Sequence, residues 1–257
     1  MGKVIAVINE KGGVGKTTTA IEFASILADR GKKVLLIDFD VSANTSKSLP
    51  TNLNTYDIQD VIEANCRIVD AIQKVGKLDM IISTPSLSNL LAKESRELGD
   101  YYLFADAISY IKDDYDFIIT DNCNTKGLVL SMSFVAADYV IIPTDVDDNS
   151  FEGVKKTYDD VRKYATGDRA ISNAQIALIL LTRYNTRTNL HDLMMEELRE
   201  AAESINGHPD VEYIRSSIAV SETKRARMAL IDYNPRCEAY HDYEYAVDKF
   251  LERIGEQ

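Results

Sequence analysis

The stretch NEKGGVGKTTTA, residues 9–20, has the composition of a loop that binds phosphate. Gly12, Gly13 and Gly15 allow the backbone to turn tightly and to direct N–H groups at an anion. Gly15-Lys16-Thr17 matches the end of the pattern G-x-x-x-x-G-K-[ST], in which the lysine reaches the β- and γ-phosphates and the hydroxyl binds Mg²⁺. A helix beginning near Lys16 would add its positive dipole end. The predicted nucleotide-binding residues of this loop are Lys11, Gly12, Gly13, Val14, Gly15, Lys16, Thr17 and Thr18.

The start of this loop departs from the pattern. Glu10 occupies the place of the first glycine, and a second lysine, Lys11, follows it. Because Lys16 already serves the phosphates from within the loop, Lys11 need not fold back onto the same nucleotide. It could reach a nucleotide held by a second subunit and neutralise charge in the transition state, as an arginine finger does in trans. Dimerisation would then switch hydrolysis on.

Three aspartates follow apolar runs and are candidates for Mg²⁺ and water chemistry. Asp121 comes after YDFIIT and Asp38 after KKVLLI, where a carboxylate at the end of a buried strand would hold the metal. Asp40 has the same side-chain parity as Asp38 if the strand continues, so it could orient an attacking water. Each of these acids could instead be a helix cap or a solvated loop residue.

The elements that must position these residues alternate along the chain. Apolar runs occupy residues 3–9, 32–38, 78–83, 115–120, 138–143 and 175–181, and helix-like segments occupy 17–30, 86–112, 150–165, 188–205 and 236–254. Runs that are apolar throughout indicate strands buried on both faces. We therefore predict an α/β fold of the P-loop NTPase type, a doubly wound, mainly parallel sheet with helices on both faces. Residues 1–257 form a single domain, and the ligand site lies beyond the carboxyl ends of the strands.

Composition restricts the classes of function. A net charge of −12 means that any DNA contact must come from a local basic patch. No apolar run approaches the ~20 residues of a membrane span, and the chain opens directly as a strand without a signal-peptide pattern. Three widely spaced cysteines and three scattered histidines form neither a disulfide framework nor a metal-ligand cluster. A cytoplasmic protein is expected.

With these residues in view, the chain resembles the ParA/MinD group of deviant Walker-motif ATPases, and most closely the ParA (Soj-like) partition ATPases. KGGVGKTTT is that group's signature loop, with Lys11 at the signature lysine. LLIDFDVSANTS is similar to the family's second motif and YDFIITDNC to its Walker B region. ADYVIIPTDVDDNSFEGV, LILLTRYNTRT and IRSSIAVSETKRARMALIDYNPRCEAYHDY are similar to its later segments.

The resemblance implies an ATP-bound sandwich dimer, slow Mg²⁺-dependent ATP hydrolysis, nonspecific DNA binding by that dimer, nucleoid association, and a ParB-like partner that stimulates hydrolysis. It makes Lys11 the trans lysine, Asp40 the catalytic acid and Asp121 the Walker B acid. The segments around 183–185 and 233–235 match regions that flank the base, so Arg183, Asn185 and Pro235 are expected at the adenine. No helix-turn-helix precedes the ATPase core, which argues against operator-specific autoregulation.

Two departures from the family concern hydrolysis more than ATP binding. Asp40-Val41-Ser42 stands where the family commonly has Asp-Pro-Gln. After the Walker B aspartate, Asn122-Cys123-Asn124 stand where small residues and proline are usual. Both changes are expected beside the γ-phosphate and its water.

A basic patch favours DNA as the cargo. Residues 215–236 carry five basic side chains against two acidic ones, and the predicted DNA-binding residues are Arg215, Lys224, Arg225 and Arg227. An ordinary solvated helix face would have the same composition. A ParA-like protein that positions a protein cargo stays open as an alternative. A MinD-like membrane protein is disfavoured because the end VDKFLERIGEQ is short and mixed in charge.

Overall fold

The fold is built on one sheet. The computed structural model describes residues 2–92, 97–147, 150–166 and 170–256. Within them the strands are β1 (Lys3–Val7), β2 (Val34–Phe39), β3 (Gln73–Val75), β4 (Leu78–Ile81), β5 (Phe117–Asn122), β6 (Tyr139–Asp145), β7 (Gln175–Tyr184) and β8 (Asp210–Arg215). Their order across the sheet is β3-β4-β2-β5-β1-β6-β7-β8. All neighbouring pairs are parallel except β3 and β4.

Helices cover the sheet on both faces. They are α1 (Lys16–Asp29), α2 (Asn44–Ser48), α3 (Ile58–Ile62), α4 (Ile68–Ala71), α5 (Ser88–Leu91), α6 (Leu103–Ser109), α7 (Leu128–Ala136), α8 (Ser150–Ala165), α9 (Asn189–Ser204), α10 (Ile218–Ala226), α11 (Leu230–Tyr233) and α12 (Glu238–Ile254). Alternate side chains of the strands enter two apolar clusters: Ile5 and Val7 pack with α1 and α12, whereas Val4 and Ala6 pack with α6, α7 and α8. The predicted fold class is therefore confirmed.

All six predicted strands are present, but two strands were not predicted. β3 has only three residues, and β8 lies at the sheet edge, where three of its six side chains are neither apolar nor buried. Strands this short or this polar lack the continuous apolar run on which the prediction depended.

The prediction of one helical segment over 86–112 was wrong. The described part of this segment contains the end of a 3-10 turn (Pro85–Leu87), α5, a second 3-10 turn (Leu98–Tyr102), α6 and the start of a third 3-10 turn at Lys112. Gly99 lies within the second 3-10 turn, and the Asp100 carboxylate accepts a hydrogen bond from the backbone N–H of Glu97, which starts a new turn there. Residues 93–96 lie outside the described residues.

In the described part of the chain, no helix combines the length and the apolar character that crossing a membrane would require.

The carboxyl ends of the central strands bring the predicted acids together. In the parallel register, Asp38 of β2 lies opposite Asp121 of β5, and Val7 at the end of β1 lies on the other side of Asp121. The phosphate-binding loop leaves β1 at this same edge and enters α1 at Lys16. The edge predicted to hold the ligand is thus the edge at which the loop and two of the acids meet.

Candidate nucleotide-binding site

The glycine loop is held in a fixed shape by β7. Gly13 and Gly15 have φ of 78° and 92°, a region that favours glycine. The Thr182 hydroxyl donates to the carbonyl of Val14 at 3.1 Å, and Arg183 donates to the carbonyl of Gly13 at 2.6 Å. Val14 is itself fully buried. The turn of the loop is therefore fixed by its glycines and by two side chains of β7.

Lys16 lies inside this loop and is only 8% exposed. Its ammonium donates to the carbonyl of Lys11 at 3.0 Å, and burial lowers the pKa of the ammonium. A buried cation with one neutral acceptor is well placed to exchange that acceptor for phosphate oxygens.

The acid pair beyond the loop is also buried. Thr17 and Thr45 both donate their hydroxyls to Oδ2 of Asp121, at 2.7 and 2.6 Å, while Oδ1 of Asp121 is buried with no hydrogen-bond partner among the described residues. Oδ2 of Asp38 accepts from the backbone N–H and the hydroxyl of Ser46, at 2.8 and 2.7 Å. The unpartnered Asp121 oxygen is an acceptor that a cation or its bound water would complete.

Burial raises the pKa of Asp38 to about 8 and that of Asp121 to about 6, and the charge of Asp121 adds to the shift at Asp38. A divalent cation would oppose both shifts. The structure describes no cluster of three or more His, Cys, Asp or Glu side chains placed for a metal, and Mg²⁺ needs only one or two carboxylates in addition to substrate phosphates and water. Thr17, Asp38 and Asp121 thus supply an all-oxygen donor set that fits Mg²⁺.

Asp40 follows the end of β2 instead of continuing it. The strand stops at Phe39, the N–H of Asp40 donates to Oδ1 of Asp38 at 3.2 Å, and the Asp40 carboxylate accepts from the N–H of Ser42 at 2.8 Å. Because Asp40 lies in a turn, the alternation of side chains along a strand does not extend from Asp38 to Asp40. Even so, Asp40 lines the cavity above the loop.

Lys11 points elsewhere. Its ammonium forms an ion pair with Asp145 at 2.7 Å and a second with Asp147, both in its own subunit. Burial alone would lower the pKa of Lys11, but the hydrogen bonds to Asp145 and Asp147 outweigh it and the pKa is raised. In the single chain, Lys11 is therefore a charged lysine held away from the cavity lining.

A cavity of about 550 Å³ opens over the loop, a size typical of small-molecule sites. One end is lined by Asp40, Asn124 and the loop residues Gly12, Gly13, Gly15, Lys16, Thr17 and Thr18. The other end is lined by the segment that joins β8 to α11, with Ser216, Val220 and Met228 among its residues. These three residues were not predicted from the sequence, although the motif IRSSIAVSE contains two of them.

The three residues expected at the adenine do not lie together in the structure. Arg183 lines the cavity, where it also bonds to Asp145 at 3.3 Å. Asn185 and Pro235 are not among the lining residues: the N–H of Asn185 donates to Nδ1 of His191, and Pro235 is exposed. The structure thus brings one of the three to the cavity.

The four residues of the predicted basic patch also differ in what their side chains contact. Arg215 lines the cavity and is paired with Asp242 at 2.7 Å and Glu238 at 2.9 Å, so its charge is compensated. The Arg227 guanidinium donates to the carbonyl of Leu49, and Lys224 lies 3.4 Å from the side-chain oxygen of Asn44. Arg225 is exposed on α10. Lys224, Arg225 and Arg227 are all exposed, and of the four predicted DNA-binding residues Arg225 is the one without a hydrogen-bond or ion-pair partner in the described part of the chain.

Known proteins share this sequence over nearly its whole length. Residues 2–176 match the family model AAA_31, described as an AAA domain. The chain is 31% identical to the sporulation initiation inhibitor protein Soj of Bacillus subtilis, over 95% of this chain and 96% of that protein. It is 30% identical to the chromosome-partitioning ATPase Soj of Treponema pallidum, over the full length of both.

Solved structures share the fold. A plasmid partition protein from Borrelia burgdorferi bound to AMPPNP superposes with a TM-score of 0.83 at 25% identity, covering 99% of this chain and 100% of that one. McdA from Cyanothece superposes with a TM-score of 0.84 at 18% identity, with the same coverage, and this likeness concerns the fold alone.

Proposed function

Because the chain belongs to the AAA_31 family, and within it to the Soj/ParA ATPases, we propose that it binds ATP and Mg²⁺ in the cavity above the glycine loop and hydrolyses ATP as a dimer. The observation that carries the proposal is that Lys16 and Thr17 line one end of that cavity, while Thr17 also donates to the buried Asp121, whose Oδ1 has no hydrogen-bond partner among the described residues. The AMPPNP bound to the Borrelia relative supports the choice of nucleotide.

The loop and the acid pair have separate tasks in this proposal. Lys16 exchanges the Lys11 carbonyl for the β- and γ-phosphates, and the loop N–H groups hold the remaining phosphate oxygens. Thr17, Asp38 and Asp121 would hold Mg²⁺, which when bound would supply positive charge opposite the negative charge of the phosphates. Asp40, in its turn beside the cavity, orients the attacking water and accepts its proton.

Lys11 completes the site of the partner subunit. To do so it must leave Asp145 and Asp147 and extend across a dimer interface. Two chains facing each other through their loops would place each Lys11 at the other's γ-phosphate, as expected for the sandwich dimer of this family.

We further propose that the ATP dimer binds DNA nonspecifically and segregates plasmid or chromosomal DNA with a ParB-like partner, in the cytoplasm and on the nucleoid. The names of the relatives, chromosome-partitioning and plasmid partition proteins, support this reading. Arg225 supplies the exposed charge, and two copies in one dimer double the phosphate contacts.

Titration with a fluorescent ATP analogue tests whether the glycine loop binds the nucleotide. Lys16→Ala should lose binding at least roughly 100-fold, because the phosphates lose the lysine of the loop that lines the cavity. Lys77→Ala, which removes an exposed lysine paired with Asp29, is the control and should bind as the wild type does. Equal ATP affinity of Lys16→Ala and the control would show that the glycine loop is not the phosphate-binding site.

A further inference from the structure

Lys126 joins three parts of the molecule. Its ammonium lies 2.8 Å from Oε1 of Glu10, at the start of the phosphate-binding loop, and 3.3 Å from Oδ2 of Asp160, on α8. Lys126 itself lies in the segment 123–127, which connects β5 to α7 and follows directly on Asp121 and Asn122. One side chain thus ties this connecting segment to the loop and to a helix.

The two carboxylates around this ammonium are mostly buried. The side chains of Glu10 and Asp160 are 16% and 18% exposed. Burial raises the pKa of Glu10, its hydrogen bond to Asp160 raises it further, and Lys126 opposes both effects. The Lys126 side chain is itself 63% exposed, and without it the two close carboxylates would either repel each other or share a proton across the contact between loop and helix.

The segment that Lys126 holds reaches the nucleotide cavity through Asn124. Asn124 lines the cavity next to Asp40 and Gly12. It also packs closely on the loop, because a Cβ atom added to Gly12 would lie 3.2 Å from Nδ2 of Asn124. The position of Asn124 at the loop therefore depends on how the segment 123–127 is fixed.

We propose that Lys126 is a positioning residue: through Glu10 and Asp160 it holds Asn124 against the loop, at the end of the cavity where the γ-phosphate and its attacking water meet. This inference rests on the proposed ATP hydrolysis. It gives Glu10 a task that glycine at the same position could not perform. It also explains why the residues after Asp121 can be bulky and polar, since their backbone is fixed from the side by an ion pair.

The test compares Lys126→Met, Lys126→Arg and Glu10→Gln with wild type. The control is Lys77→Met, which removes a lysine paired with Asp29 away from the cavity lining. Lys126→Met and Glu10→Gln should lower kcat for ATP roughly 10-fold, because small displacements at a reacting centre are costly in rate, with nucleotide affinity changed less than about 2-fold. Lys126→Arg should recover most of the rate. The double variant that combines Lys126→Met with Glu10→Gln should have a kcat no lower than that of the slower of these two single variants.

Hydrogen exchange of the nucleotide-free protein gives the second readout. Backbone amides of residues 123–127 should exchange faster in Lys126→Met and Glu10→Gln, and at the wild-type rate in Lys126→Arg and Lys77→Met. Unchanged exchange at 123–127 would overturn the proposal, whether or not the wild type hydrolyses ATP. Faster exchange with an unchanged kcat would overturn it as well, since Lys126 would then only stabilise the segment. A wild type that binds ATP but never hydrolyses it would overturn the proposed function, and this inference with it.

Discussion

The Lys11 ammonium and the Asp145 carboxylate of the same chain lie 2.7 Å apart, and Asp147 pairs with the same lysine. In the proposed trans role, Lys11 would therefore be held by carboxylates of its own subunit until a dimer forms. Breaking these partly exposed ion pairs opposes dimerisation by a modest amount, on the order of 1 kcal/mol or less for each pair.

Removing the two carboxylates should make dimerisation easier. In Asp145→Asn with Asp147→Asn, Lys11 leaves its own subunit at a lower cost, so the ATP dimer should form at a roughly 3- to 10-fold lower protein concentration. Sedimentation equilibrium with a non-hydrolysable ATP analogue measures this shift. Asp29→Asn breaks an exposed pair elsewhere and should not move the equilibrium. A weaker dimer in the double variant would mean that the two aspartates are needed at the interface.

Glu22 should make stability depend on pH. It is 1% exposed on α1, both of its oxygens lie within hydrogen-bonding distance of the N–H of Leu230, and burial raises the pKa of Glu22 to about 8. Because the pKa is higher in the folded than in the unfolded chain, the folded state holds a proton that the unfolded state has lost. The free energy of unfolding therefore falls as pH rises from about 5 to 8.

Glu22→Gln keeps the acceptor for Leu230 and removes this titration. Between pH 5 and 8 the variant should gain roughly 1–3 kcal/mol relative to wild type in urea unfolding. Glu197→Gln, at an exposed position of α9, is the control and should follow the wild-type curve. A constant difference between Glu22→Gln and wild type at all pH values would show that Glu22 is charged in the fold.

Arg225→Glu should abolish ATP-dependent retention of duplex DNA at low salt, because it removes the unpaired exposed cation among the described residues of α10 and adds a repulsive charge beside Lys224 in both subunits. Hydrolysis should remain, since Arg225 is not among the cavity-lining residues. Arg67→Glu changes the net charge equally at an exposed site outside the cavity lining and should still bind. Failure of the wild-type ATP dimer to bind any duplex would favour a protein cargo instead.

The sequence predicted the loop well because its geometry is local. Three glycines, a lysine and a threonine at fixed spacing determine the turn and the start of α1, and the apolar runs determine the sheet that carries them. The placement of Asp38 beside Asp121 followed from parallel strands ending at one edge, and the structure has that register.

What the sequence could not predict depends on contacts between distant segments. The charge of Arg215 is compensated by Asp242, 27 positions along the chain, and nothing local indicates that pairing. The ion pair between Lys11 and Asp145 joins two residues that are 134 positions apart in the sequence. The wall formed by Ser216, Val220 and Met228 likewise arises only when the segment from β8 to α11 folds over α1.

The central claim, that Lys11 acts in trans, has a direct test in mixed dimers. Lys11→Ala and Asp40→Ala subunits should each bind ATP through Lys16 and hydrolyse it little when alone. In a mixed dimer, the Lys11→Ala subunit keeps its own Asp40 and receives Lys11 from its partner, so one of the two sites is complete. ATP hydrolysis should then return to at most about half the wild-type rate per mixed dimer. Mixed dimers that form and show no recovery at any ratio of the two subunits would contradict the account.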